Sequence, residues 1–218
     1  MVEFCNQSVR RQHIVKESAQ MKTMRIAMAG LLFLATVVTV THLTASDDRG
    51  KDRDNDRLRT SLKGFNEVPV VSTGATGRFK ATIVDTLAGP EIDYELSFSG
   101  LGGVVAQSHI HIAQKDVNGG IVLWLCQGTA RAPAQVAATT PECTEAGTDG
   151  RAGNVSGTLT AASVIPVATQ QIAANELAEV IAAIRAGNAY VNVHSAPSPG
   201  GEIRGQLDAD DDHGGHGK

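Results

Sequence analysis

Aromatic residues and sulfur are scarce in this 218-residue chain, which holds five Phe, two Tyr, one Trp, three Cys and four Met. Three cysteines are too few for a disulfide-dense scaffold or for a zinc site built on four thiolates. Strong charge is also missing: 19 Lys+Arg stand against 23 Asp+Glu, a net −4. Catalytic signatures are absent as well. There is no Gly-x-Ser-x-Gly, no P-loop, and no cysteine–histidine pairing in a nucleophile's context. The longest apolar run, Ile26 to Val40, covers 15 residues, short of the ~20 that a membrane-spanning helix needs.

That run has a specific layout. Lys22 and Arg25 precede it, and Thr44, Ala45 and Ser46 follow it, so residues 21–46 have the form of a cleavable signal peptide; an uncleaved anchor is the rival. Residues 1–20 are a polar, unpatterned extension, and Met21 or Met24 would make a more ordinary start. Cleavage would remove Arg10, Arg11, Lys16, Lys22, Arg25, Glu3 and Glu17, leaving 14 basic against 21 acidic residues, a net −7. An acidic exported chain is not expected to bind nucleic acid. No integral span would remain, and the location would be secreted or periplasmic, with an extracellular or envelope partner that the sequence does not name. Cys5 would go with the leader. Cys126 and Cys143 would then be an even pair in an oxidising compartment, expected as one disulfide. Closing that loop stabilises by roughly 3 kcal/mol in the chain-entropy description.

One domain is expected between polar tails. Residues 47–61, "DDRGKDRDNDRLRTS", read as a flexible charged linker, and residues 208–218, "DADDDHGGHGK", as a solvated acidic His/Gly tail. Between them most signals are strands. Ile92, Tyr94, Leu96 and Phe98 alternate with polar residues, as do Phe79, Ala81 and Ile83, and then Val155, Gly157 and Leu159. "GIVLWLC" is apolar on both phases and fits a strand covered on both faces, with Trp124 in the core. Leu177, Val180, Ile181 and Ile184 form a helical stripe, with Asn175 as N-cap and Gly187 as terminator. The fold class expected is all-β: an antiparallel Greek-key or immunoglobulin-like sandwich or barrel, with one short helix in a late connection.

The histidines carry the chemistry. In "VVAQSHIHIAQ", Val104, Ala106, Ser108, Ile110 and Ile112 take the core phase, while Val105, Gln107, His109 and His111 take the other. In "AYVNVHS", Val191 and Val193 are inward, and Tyr190, Asn192 and His194 outward. In "GEIRGQL", Ile203 and Leu207 face in, while Glu202, Arg204 and Gln206 face out. All three histidines thus leave on the side away from the core and are not expected to be packed in it. Two roles compete. They can be hydrogen-bonding partners of Asn192, Glu202 or turn backbone, or three imidazoles can hold copper or zinc. "DVNGG" and "SPGGE" read as turns.

"FNEVPVVSTGATGRFKATI", "AQSHIHIAQKDVNGGIVLWLC", "GTLTAASV" and "NELAEVIAAIRAGNAYVNVHSAPSPGGEIRGQL" together resemble the CHRD domain, first described in chordin, across residues 62–207. The closing stretch is the most specific. The resemblance implies an immunoglobulin-like barrel with limited similarity to copper/zinc superoxide dismutases, and it names no activity. Those dismutases hold copper with a His-x-His strand plus one distant histidine. His109, His111 and His194 resemble that set in order and parity, with Asn192, Glu202 and Arg204 as candidate supports. The zinc-bridging histidine and the zinc-site aspartate have no counterpart. A non-enzymatic binding or structural module is therefore the first expectation. A mononuclear copper or zinc protein is the alternative, with superoxide chemistry behind it.

Overall fold

Alternating burial organises the chain. The computed structural model describes residues 56–143 and 149–209. The proposed extension 1–20, the signal segment 21–46, linker residues 47–55 and tail residues 210–218 lie outside the described residues. Strands β1 (Arg57–Lys63), β2 (Thr76–Thr86) and β3 (Gly89–Ser99) form a meander; β4 (Val105–Ile112) and β5 (Gly120–Gln127) form a hairpin. Strand β6 (Gly153–Leu159) pairs with β3, and β7 (Ala189–Ser195) and β8 (Ser198–Ala209) form the last hairpin. Pairing of β8 with β1 and of β4 with β7 joins these pieces into one antiparallel sheet, in the order β5-β4-β7-β8-β1-β2-β3-β6. The sheet curls into a nearly closed barrel, so the all-β expectation holds.

One side chain reaches across the gap between the edge strands β5 and β6 from β3, the neighbour of β6. Tyr94 on β3 points inward, and its hydroxyl donates to the Leu125 carbonyl of β5 at 2.5 Å. The disulfide Cys126–Cys143 ties the following loop to the end of β5, with Cα atoms 4.9 Å apart. Gln127 and Cys143 exchange further backbone bonds with that segment, which covers edge groups that would otherwise be bare.

Inward residues follow the expected phase in β2, β3, β6, β7 and β8: Phe79, Ile83, Ile92, Leu96, Phe98, Val155, Val191, Val193, Ile203 and Leu207 share one core. Helix α2 (Leu177–Arg185) buries Leu177, Val180, Ile181 and Ile184, the apolar stripe read from the sequence. The short turn α1 (Ala134–Ala137) packs elsewhere. Gly187, at φ 71°, ends α2, and its amide donates to the Ile184 carbonyl.

Several expectations need correction. Residues 57–61 are the start of β1, with Leu58 and Leu62 buried among charged neighbours, and not part of a tether. Glu176 rather than Asn175 occupies the N-cap position of α2; Asn175 sits at φ 67°. A bulge between Val105 and Gln107 reverses the early phase of β4, so Val105 enters the core and Val104 is exposed. The last hairpin turns at Ala196–Pro197, so all of "SPGGE" belongs to β8. Trp124 is buried, but in a second cluster with Ala132 and Val136 on the outside of the barrel.

Candidate metal centre

The outer face of β5, β4, β7 and β8 is a grid set by strand register. Trp124 lies opposite His109, His109 opposite Asn192, and Asn192 opposite Arg204. In the neighbouring row His111 faces Tyr190 and Tyr190 faces Gln206; on the other side Gln107 faces His194. Parity alone brings the three histidines onto one face of adjacent strands. Their exposure is the surprise. His109, His111 and His194 are 0, 7 and 5 % exposed, so they lie outside the main core as expected and are nevertheless buried rather than open to solvent.

Three chain segments cover them. The loop after β1 lies on β8: Asn66 donates to the Arg204 carbonyl, and Thr73 donates to Glu202 at 2.7 Å. The loop after β4, the "DVNGG" segment, offers its carbonyls downward, and Asn118 of that loop donates to Val68 of the first at 2.8 Å. The segment around Ala132 and Val136 packs on Trp124, whose ring lies 4.3 Å from that of His109.

Backbone carbonyls fix two of the imidazoles. A carbonyl only accepts, so His111 Nδ1–H donates to Gly119 O at 2.9 Å and His194 Nδ1–H donates to Pro199 O at 2.9 Å. Each Nε2 then carries a bare lone pair. His194 Nε2 faces His109 Nδ1 at 3.2 Å, while His111 Nε2 is buried with no partner. His109 Nε2 is unpartnered too. One ligand atom from each ring can be chosen so that all lie within 4.8 Å of one another. Burial is the main reason all three imidazoles titrate below the usual range, His111 at about 4; neighbouring imidazoles add to this for His109 and His111. At neutral pH they are uncharged, the form that binds metal.

The candidate supports differ in what they touch. Asn192 acts on both His109 and His111, and its Oδ1 has no hydrogen-bond partner. Arg204 reaches the histidines through a stack: its guanidinium lies 3.4 Å from the centroid of the Tyr190 ring, on which His111 stacks at 4.6 Å. Its N–H groups donate to Asn118 Oδ1 and to the Gln114 and Val117 carbonyls. Glu202 turns away from the imidazoles. Its carboxylate accepts from Thr73, Gly102 N–H and Ser195.

Sequence reasoning missed Glu67. It is buried on the loop after β1, with Oε1 unpartnered, and burial raises its pKa to about 7 against the pull of Arg204. Its carboxyl fills the space beside Gly201, where a Cβ would meet Oε1 at 2.4 Å and φ is +122°. The residues "FNEVP" have no periodicity to mark that burial, and Gly201 was the nearest available hint.

Residues 58–207 match the CHRD domain family, and the chain belongs to it. Comparison with curated proteins and with solved structures returned no match. Family membership is consistent with a binding or structural module and assigns no ligand.

Proposed function

We propose that this CHRD-domain chain is an exported metal-binding module that holds one copper or zinc ion through His109, His111 and His194. Binding rather than turnover is the role the burial favours, because a substrate such as superoxide would need an open path to the ion and the imidazoles have almost none. Export rests on the signal-like segment 21–46 and is supported by the disulfide Cys126–Cys143.

The observation that carries the reading is a set of lone pairs with no donor. Suppose His109 Nδ1–H donates to His194 Nε2. The lone pairs of His109 Nε2 and His111 Nε2 are then buried and bare. In the other tautomer of His109, two lone pairs confront each other at 3.2 Å and the His109 Nε2–H is unanswered. Each buried unmet polar group costs about 1–3 kcal/mol. A cation among these nitrogens removes the conflict in the second tautomer. The 3.2 Å separation is also near the ~3.3 Å between two nitrogens bound tetrahedrally at about 2.0–2.1 Å. Locking of His111 and His194 by carbonyls is the support that ligating imidazoles usually receive.

The test is elemental analysis of the purified full chain carrying His213→Asn and His216→Asn, so that the tail offers no imidazole. About one copper or zinc per chain is expected, and His194→Ala should abolish it. Metal-free protein that stays metal-free after incubation with either ion would refute the reading, and the histidines would be polar scaffolding.

A further inference from the structure

The charge of the ion is not set by the donors alone, and three features of the surroundings bear on it. Among the described residues the ligand group consists of His109, His111 and His194, with no carboxylate or thiolate joining it. All three rings are buried, which leaves a solvent molecule little access as a fourth ligand. The nearby fixed charge is positive. Arg204 and His111 cannot share one face of Tyr190 at 3.4 and 4.6 Å, so the ring is sandwiched between them and the guanidinium stands about 8 Å from the imidazole. Arg204 itself is 2 % exposed, and the hydrogen bonds of its guanidinium go to neutral acceptors.

One of the two buried carboxylates offsets part of that charge, because Glu67 attracts Arg204. Glu202 is committed to Thr73, Gly102 and Ser195. Glu67 packs on Gly201 and acts on Arg204 and Tyr190.

We propose that this site selects monovalent copper over zinc and over divalent copper, an inference that rests on the metal-binding reading above. Three neutral nitrogens bring no negative charge to a buried ion, and the guanidinium repels each unit of charge the ion carries. At about 8 Å and an effective dielectric of ~20, that repulsion alone weakens binding roughly thirtyfold per added charge, and the opposing pull of Glu67 on Arg204 leaves an expected effect of about tenfold. Coordination number points the same way. Zinc completes four ligands, and divalent copper prefers tetragonal sites. A closed-shell monovalent copper ion is satisfied by three.

The test compares three ions on the full chain carrying His213→Asn and His216→Asn. Monovalent copper is titrated anaerobically with ascorbate against bicinchoninate, and zinc and divalent copper against their own chelating dyes. The dissociation constant for monovalent copper should lie at least about tenfold below both others. Arg204→Gln should narrow that gap about tenfold, and Arg204→Lys, which keeps the charge, should leave it nearly unchanged. Zinc or divalent copper binding as tightly as monovalent copper would overturn the selectivity and leave the metal reading intact. Failure of all three ions to bind would overturn both. If circular dichroism shows that Arg204→Gln is unfolded, the ranking of the ions on the unsubstituted Arg204 chain decides.

Discussion

The two halves of the barrel obey the same parity and put it to opposite use. On β1, β2 and β3 the outward side chains, among them Arg57, Lys80, Glu95 and Asp93, are exposed to water, and polarity needs no further partner. On β4, β7 and β8 the outward side chains are just as polar, yet loops bury His109, His111, Asn192, His194, Glu202 and Arg204. Polar residues under cover must find partners from protein or ligand. Glu202 and Arg204 find them within the chain. Five side-chain atoms on or against the covered face, from Glu67, His109, His111, Asn192 and Gln206, do not. A polar outward phase therefore shows which way a strand faces and says nothing about whether water is there.

Matched substitutions in the two halves sharpen the contrast. Glu202 and Glu95 are both outward carboxylates. Glu202→Ala removes the acceptor shared by Thr73, Gly102 and Ser195 and strands the buried Ser195 hydroxyl. It should cost about 1–3 kcal/mol in urea unfolding, as leaving buried donors without their acceptor does. Glu95→Ala, opposite Lys80 on an exposed face, should stay within about 0.5 kcal/mol. Equal costs would erase the distinction between the halves.

The pH dependence should split in the same way. Glu67 titrates at about 7 in the folded chain against an ordinary 4.5. The fold therefore holds its proton where the unfolded chain has released it. This group's stabilisation is full below pH 4.5 and is lost as pH rises through 7. At ~1.4 kcal/mol per unit the effect is roughly 3–4 kcal/mol. The buried imidazoles act in the opposite direction. Their neutral form is favoured in the fold, so stability falls as pH drops below 6.5, for His111 until about 4. Unfolding free energies of the parent and of Glu67→Gln between pH 5 and 8 isolate the carboxyl. Parallel curves would mean that it is not buried as a carboxyl in solution. Lys80→Ala, a smaller test, should shift neither curve by more than ~0.5 kcal/mol.

What the sequence disclosed follows the same line. Alternation located the core phases of β2, β3, β7 and β8, because one side of each strand meets the barrel interior wherever the chain goes next. It also placed His109, His111 and His194 on one face. Their burial could not be read locally, since the cover comes from the loops around Glu67, Asn118 and Val136, segments far apart in sequence. Trp124 shows the limit from the other side. An all-apolar strand shows that both faces are covered and does not say which residue belongs to which cluster. The misreading of β1 had a cause in composition. Leu58 and Leu62 alternate correctly, but Arg57, Arg59 and Lys63 made the segment look like a tether.

The central claim is that an ion completes the covered face, and thermal unfolding tests it most directly. The full chain carrying His213→Asn and His216→Asn is melted with copper or zinc in excess and again with a chelator. A ligand at a hundredfold excess over its dissociation constant stabilises by about 2.7 kcal/mol. For a domain of this size that is roughly 5–10 °C. His194→Ala should lose that gain and keep its fold, because its ring leaves β7 on the side away from the main core. A melting temperature that is the same with metal and with chelator would contradict the account.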